Sequence, residues 1–165
     1  MNTCLQGNIV VVTGASGGIG SAIARQFAAE GARVVLHCRA GRARARSLQK
    51  ELGSAETLVV AADLSKEAEA RHVFAEALKR FGRVDTLVAN AGSWETRDVG
   101  LHQMSLRQWR QTLDGVLTTT FLTVREFLRI VAKQKHGNAI LIGSTAAVFG
   151  EAGHADYFDN VRFPG

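Results

Sequence analysis

The residues with the clearest chemical meaning lie in the stretch Thr13-Gly14-Ala15-Ser16-Gly17-Gly18-Ile19-Gly20, which sets four glycines in eight positions. Glycines at this density permit positive φ and let bare backbone approach a ligand closely. The amide hydrogens of such a turn, backed by the dipole of a following helix, favour a diphosphate. A dinucleotide is therefore the expected ligand, with Gly14, Ser16, Gly17, Gly18, Ile19 and Gly20 as its backbone cradle. The alternative is a tight structural connection that happens to use glycines, so the surrounding elements decide its value.

Those elements have the required order. Asn8 to Thr13 is a β-branched run suited to a strand buried on both faces. After the turn, Ile19, Ile23 and Phe27 recur every four positions and Gly31 supplies a stop, which predicts an amphipathic helix packed on that strand. The pattern repeats with a strand over Arg33 to Cys38, a helix over Ala43 to Leu52 and a strand over Thr57 to Ala62. A helix follows from an N-cap at Ser65 to a stop at Gly82, with Glu67 and Glu69 in its first turn. Next come a strand over Val84 to Ala89, a polar loop from Ser93 to about His102, and one long helix from about Ser105 to about Gln134. Asn138 to Ile142 completes five strands alternating with four helices. Short connections and right-handed crossovers make this an α/β fold, a Rossmann-like doubly wound parallel sheet in one domain spanning residues 1–165.

Composition removes several function classes. Hydrophobic residues make up 46% and charged residues 21% of 165, an ordinary globular balance that excludes disordered and collagen-like chains. Cys4 and Cys38 are far apart in sequence and lack CxxC spacing, so no disulfide framework and no metal site are expected, and a reducing compartment fits. The apolar run Ile9 to Val12 is too short for a signal or a membrane span, which makes the cytoplasm the default location, with no membrane partner. The net charge of +5 owes much to Arg39, Arg42, Arg44 and Arg46. This cluster suits either a phosphate-bearing partner or a solvated helix face. It lacks interleaved aromatics or a reader motif, so nucleic acid is not expected.

The spacing Gly14, Gly18 and Gly20 is G-x-x-x-G-x-G, and Asp63-Leu64 closes the third strand while Asn90-Ala91-Gly92 closes the fourth. In these features the chain resembles the short-chain dehydrogenase/reductase family from about Gly7 to Tyr157. The resemblance implies that Asp63 and Leu64 contact an adenine, and that Asn90, Ala91 and Gly92 brace the central sheet and line the cofactor. Read without it, Asp63 is equally a cap on the approach to a helix and Asn90 a buried turn residue.

In dinucleotide sites an acidic residue at the end of the second strand receives the ribose hydroxyl of NAD, whereas an arginine accommodates the extra phosphate of NADP. Here that end reads His37-Cys38-Arg39, with no carboxylate and a guanidinium available to grip a phosphate. NADP(H) is favoured over NAD(H).

Hydride transfer to a carbonyl leaves negative charge on its oxygen, which requires a proton donor and a hydrogen bond. Tyr157 is the single tyrosine and Ser144 precedes it by 13 residues. The resemblance implies Tyr157 as general acid/base and Ser144 as the group that polarises the oxygen of a small-molecule carbonyl or alcohol substrate, a ketone or 3-oxoacyl type. Three departures stand against full activity. The family's lysine, four residues after the tyrosine, is Val161, and Arg162 would be turned roughly 100° away on a helix. Its relay asparagine, seven residues after Trp109, is Val116, although Asp114 lies two positions earlier. Its C-terminal strands are missing, Arg162-Phe163-Pro164-Gly165 being only a faint match to the P-G beyond the sixth strand, which leaves Ile140, Leu141 and Ile142 on an exposed edge. The long helix contributes in the family to a dimer-forming bundle, so a weakened homo-oligomer is expected. Two readings stay open: an oxidoreductase, inactive or slow as this chain alone, and a catalytically silent nucleotide-binding or interaction module.

Overall fold

The computed structural model describes residues 3–54 and 56–158. Val161, Arg162 and Pro164-Gly165 lie outside the described residues. Five parallel strands, β1 (Ile9–Val12), β2 (Arg33–Cys38), β3 (Thr57–Ala61), β4 (Thr86–Ala89) and β5 (Asn138–Leu141), form a sheet in the order β3-β2-β1-β4-β5. The chain moves outward from β1 to β3, then returns to pair β4 on the other side of β1. That reversal makes the carboxyl ends of β1 and β4 a topological switch point, where open α/β sheets bind ligands.

Alternation along β1 divides the core between two layers. Val10 and Val12 join Val34, Leu36 and Val88 under helices α1 (Gly18–Ala29) and α2 (Arg42–Leu52), which contribute Ala24 and Leu48. Val11 faces the other way, with Val35 and Leu87, toward α3 (Glu67–Phe81) and a later helix that contributes Leu122 and Phe127. Burial on both faces is why β1 reads as an unbroken apolar run.

The single long helix predicted from 105 to 134 is instead three consecutive pieces. Helix α4 (Leu106–Leu113) is capped by the Ser105 hydroxyl, which accepts from the Gln108 amide at 3.1 Å. A π-helical turn over Asp114–Thr118 then interrupts it before α5 (Thr119–Gln134). Two more corrections concern helix ends. Ser65 does not cap α3, whose N-cap is Lys66; the Ser65 hydroxyl donates to Asp63 Oδ1 instead. Ile19 does not pack with Ile23 and Phe27 but stands 63% exposed at the start of α1.

Beyond β5 the described residues form two short helices, α6 (Ala146–Phe149) and α7 (Ala155–Phe158). Strand β5 lies at the edge, with Ile140, Leu141 and Ile142 exposed as expected. Leu117, Phe121 and Leu128 continue this apolar surface along the π turn and α5.

The opposite end of the sheet is held by Asp85, which is 6% exposed. Its Oδ2 accepts from the Ile9 amide at 2.8 Å and from Arg83 Nε at 2.8 Å. Its backbone carbonyl accepts from the Asn138 amide, so one residue links β1, β4 and β5. Asp85→Ala leaves the Ile9 amide buried without an acceptor and is expected to cost about 2 kcal/mol. Arg83→Ala, at an exposed partner, is expected to cost less than about 1 kcal/mol. Urea denaturation of the two variants checks the contrast.

Candidate functional site

A cleft of about 530 Å³ opens at the switch point. Its lining includes Gly14, Ser16, Gly17, Gly18, Ile19, Gly20, Arg39, Asp63, Leu64, Asn90, Ala91 and Gly92, which the structure therefore brings together around one space.

The floor is built by close backbone contact. Gly14 has φ +68° and its amide donates to His37 Nδ1 at 3.1 Å, while the Ala15 amide donates to the His37 carbonyl at 2.8 Å. A Cβ on Gly20 would stand 2.3 Å from the Gly14 carbonyl oxygen and 2.7 Å from Asn90 Nδ2, so no larger residue fits there. Asn90 Nδ2 donates to the Thr13 carbonyl at 2.9 Å, and the Asn90 and Ala91 amides both donate to the Thr13 hydroxyl at 2.9 Å. The ends of β1 and β4 are thus tied side chain to backbone.

Helix α1 starts from this floor. Its first intrahelical bond is made by Ser21 to the Gly17 carbonyl at 2.9 Å, so the amides of Gly18, Ile19 and Gly20 have no acceptor within the helix. They head a 12-residue helix whose dipole is positive at this end. Together with the bare Gly17 and Gly18, this donor set fits a pyrophosphate. The exposed Ile19 belongs to the cleft wall instead of the core.

Arg39 reaches the same space from the end of β2, and Arg44 joins it from the first turn of α2. A Cβ on Gly41 would stand 2.5 Å from Ser16 Oγ and 3.3 Å from an Arg44 terminal nitrogen, which places that guanidinium beside the glycine turn. Of the arginine cluster, Arg44 therefore belongs to the cleft, although its sequence context equally suited a solvated face. Asp63 is partly committed elsewhere. Its Oδ1 accepts from the Ser65 hydroxyl at 2.7 Å and the Ser65 amide at 3.2 Å, and Lys66 Nζ lies 3.7 Å from Oδ2. The Ser65 hydroxyl, aided by Lys66 and Arg39, holds its carboxyl below the usual carboxylate value against a smaller burial effect. It shapes the approach to α3 while lining the cleft.

Ser144 and Tyr157 sit at the β5 side. Ser144 follows the strand and its Oγ accepts from the Ala146 amide at 3.2 Å. Ala146 and Ala147 of α6 pack with Val116 and with Tyr157 of α7, so both candidate catalytic segments meet in one small apolar cluster. Neither Ser144 nor Tyr157 lines the 530 Å³ cleft itself. Val116 is buried there.

Ser93, Gly115 and Thr119 also line the cleft without having been read as site residues. Gly115 and Thr119 face it because the π turn shifts the helix between them; a Cβ at Gly115 would stand 2.6 Å from Ser93 Oγ. A glycine in mid-helix was the available signal. Among the described residues no cluster of His, Cys, Asp and Glu could hold a metal.

The chain matches the family model for short chain dehydrogenase over residues 8–158. It is 36% identical over 157 residues to the 3-oxoacyl-[acyl-carrier-protein] reductase of Synechocystis, covering 94% of this chain and 63% of the relative. The enzyme of the same name from Escherichia coli is 35% identical over 152 residues, covering 92% of this chain and 61% of the relative. A short chain dehydrogenase crystal structure from Mycobacterium avium superposes with a TM-score of 0.84 at 31% identity, covering 94% of this chain and 60% of that one. The chain thus spans about three fifths of the length of these relatives.

Two outcomes follow from the floor of the cleft. Gly20→Ala forces the Gly14 carbonyl and Asn90 apart and is expected to abolish nucleotide binding in calorimetry while circular dichroism retains the helical signal. His37 is 2% exposed, its Nε2 donating to the Ala62 carbonyl at 3.0 Å while Nδ1 accepts from Gly14. Burial, reinforced by the Arg39 charge, pushes its pKa below the ordinary value despite the Ala62 bond. The unfolded chain therefore binds the proton more readily. The stabilisation is complete above about pH 6.5 and is lost as pH falls through the folded value, by up to about 1.4 kcal/mol per pH unit. His37→Gln is expected to flatten that dependence in denaturation curves measured across this range.

Proposed function

The chain belongs to the short-chain dehydrogenase family, and from that premise we propose that it binds NADP(H) and carries out hydride transfer between this cofactor and a carbonyl or alcohol of the 3-oxoacyl or simple ketone class. The observation that carries the reading is the glycine turn with its three helix-start amides that have no acceptor within the helix, flanked by Arg39 and Arg44. Residues 1–165 are read as one dinucleotide-binding domain, with the two core layers sharing one sheet in support.

The residues present fit the cofactor by donor type and charge. Gly18, Ile19 and Gly20 would hold the pyrophosphate, and Ala91 and Gly92 would line the nicotinamide half. Leu64 would pack on the adenine, with Asp63 beside it. Arg39, with Arg44 beside the turn, would take the ribose phosphate by charge-assisted hydrogen bonds that NAD(H) cannot return. The reduced nicotinamide, when bound, supplies the hydride. Ser144 donates a hydrogen bond to the substrate oxygen and Tyr157 delivers the proton that completes the alcohol, the reverse direction returning it.

The acyl-carrier-protein reductases among the relatives support an oxoacyl substrate. The exposed surface of Leu117, Phe121 and Leu128 supports a homo-oligomer, weakened here. Cys38 is buried and two cysteines in all favour a reducing compartment, the cytoplasm. No helix among the described residues is long and apolar enough to cross a membrane.

A second reading, a nucleotide-binding module without turnover, is favoured by Val116 packed where a relay group is needed. Two measurements separate these. Titration is expected to show NADPH bound at least about tenfold more tightly than NADH, a difference of about 1.4 kcal/mol, with Arg39→Asp reversing the order. Equal affinities remove the NADP(H) assignment. Absorbance at the NADPH band with a panel of ketones and 3-oxoacyl thioesters is then expected to fall slowly; binding without any decline supports the silent module.

A further inference from the structure

The loop between Gly92 and Gly100 is fastened to the segment that carries Tyr157 by several contacts that converge on His154. The Val99 amide donates to the Gly153 carbonyl at 2.9 Å, and Val99 forms a parallel bridge with His154. The loop passes so close that a Cβ on Gly153 would stand 2.7 Å from the Asp98 Cβ. The His154 side chain is 5% exposed, its Nε2 lying 3.2 Å from Asp98 Oδ1, whereas Asp98 is 85% exposed. Trp94 covers the imidazole with ring centroids 4.2 Å apart, and it also reaches Tyr157 at 5.3 Å. The Tyr157 amide in turn donates to the His154 carbonyl at 3.0 Å.

These contacts give His154 a mechanical place. Trp94 is 45% exposed and sits on a loop without regular structure, so a fixed indole there needs a partner that is itself held. The imidazole is that partner: it offers an aromatic face to Trp94 and a ring nitrogen to Asp98 from a single buried position. The same loop begins directly after Asn90-Ala91-Gly92, which the Thr13 bonds lock to the nucleotide turn. One strap therefore runs from the glycine turn to Tyr157.

We propose that His154 is a positioning residue: by packing against Trp94 and holding its Nε2 within 3.2 Å of Asp98 it pins the strap from Ser93 to Gly100 over α7, so that Trp94 and Tyr157 form one fixed aromatic wall beside the nucleotide cleft. The exposed part of the indole at this wall suits a flat or apolar group. The kinetic part of this inference rests on the hydride-transfer reading; the pinning itself does not.

The test follows the indole. Time-resolved fluorescence anisotropy of the intact chain, each variant compared with its Trp94→Phe counterpart to remove the Trp109 signal, reads the mobility of Trp94. His154→Ala and Asp98→Ala are expected to make Trp94 more mobile and brighter, through loss of the packed imidazole or of its anchor, with His154→Gln intermediate. Because Asp98 is exposed, its variant keeps the test open should His154→Ala fail to fold. In the kinetic arm, NADPH affinity is expected to stay within about twofold, while kcat falls by on the order of tenfold from misplacement at the reacting centre and is partly restored in His154→Gln. Trp94 equally immobile in the wild type and in both alanine variants overturns the proposal. A wild-type chain that binds NADPH without turnover defeats the hydride-transfer reading, and the anisotropy still decides the pinning.

Discussion

Everything at the working end of this sheet depends on how closely two backbones can approach between β1 and β4. The Gly14 carbonyl, the first turn of α1 and the Asn90 amide occupy a space in which a single added carbon at Gly20 would come within 2.3 Å of an oxygen. Thr13 uses both its hydroxyl and its carbonyl to hold Asn90 and Ala91 in that space. The result is a rigid mouth whose polar groups are already oriented before a ligand arrives. Preorganisation of this kind lowers the entropic cost of binding and gives a small anion-binding turn its effect.

The same constraint explains the arrangement of buried polar groups around it. His37 would be an odd choice for the interior of a central strand if burial alone decided. Its two ring nitrogens, however, meet the Gly14 amide and the Ala62 carbonyl, so the neutral ring satisfies two backbone groups that the turn would otherwise leave unpaired. Asp63 plays a related part at the neighbouring strand end, where its carboxylate organises the turn into α3 by bonding Ser65. Both residues serve local architecture and line the cleft in one act.

Much of this was legible in the residues. The strand and helix alternation follows from runs such as Ile9 to Val12, whose burial on both faces produces an uninterrupted apolar stretch. The glycine turn was legible because its chemistry is local: spacing alone determines which amides are free. What was hidden depends on contacts distant in sequence. Nothing near Ile19 distinguishes a core position from a cleft wall, because a period of four fits both until the turn's orientation is known. Ser65 has the composition of a cap, yet the nearby Asp63 carboxylate captures its hydroxyl first. The loop from Ser93 to Gly100 reads as plain polar sequence, and only the fold brings Trp94 onto His154, 60 positions away.

The π turn at Asp114–Thr118 carries a consequence for how this chain can vary. It amounts to one surplus residue in an otherwise regular helical path, and each helical residue accounts for roughly 100° of rotation. Excising any one residue there would let the ordinary hydrogen-bond ladder run unbroken from Leu106 to Gln134, giving a tidier helix. Forcing that ladder on all the residues, with none removed, would instead swing one half against the other by more than a quarter of a circle. Either Gly115 and Thr119 would leave the nucleotide mouth, or Phe127 would leave the core. The bulge is therefore what holds Gly115 and Thr119 at the mouth and Phe127 in the core with the number of residues this chain has.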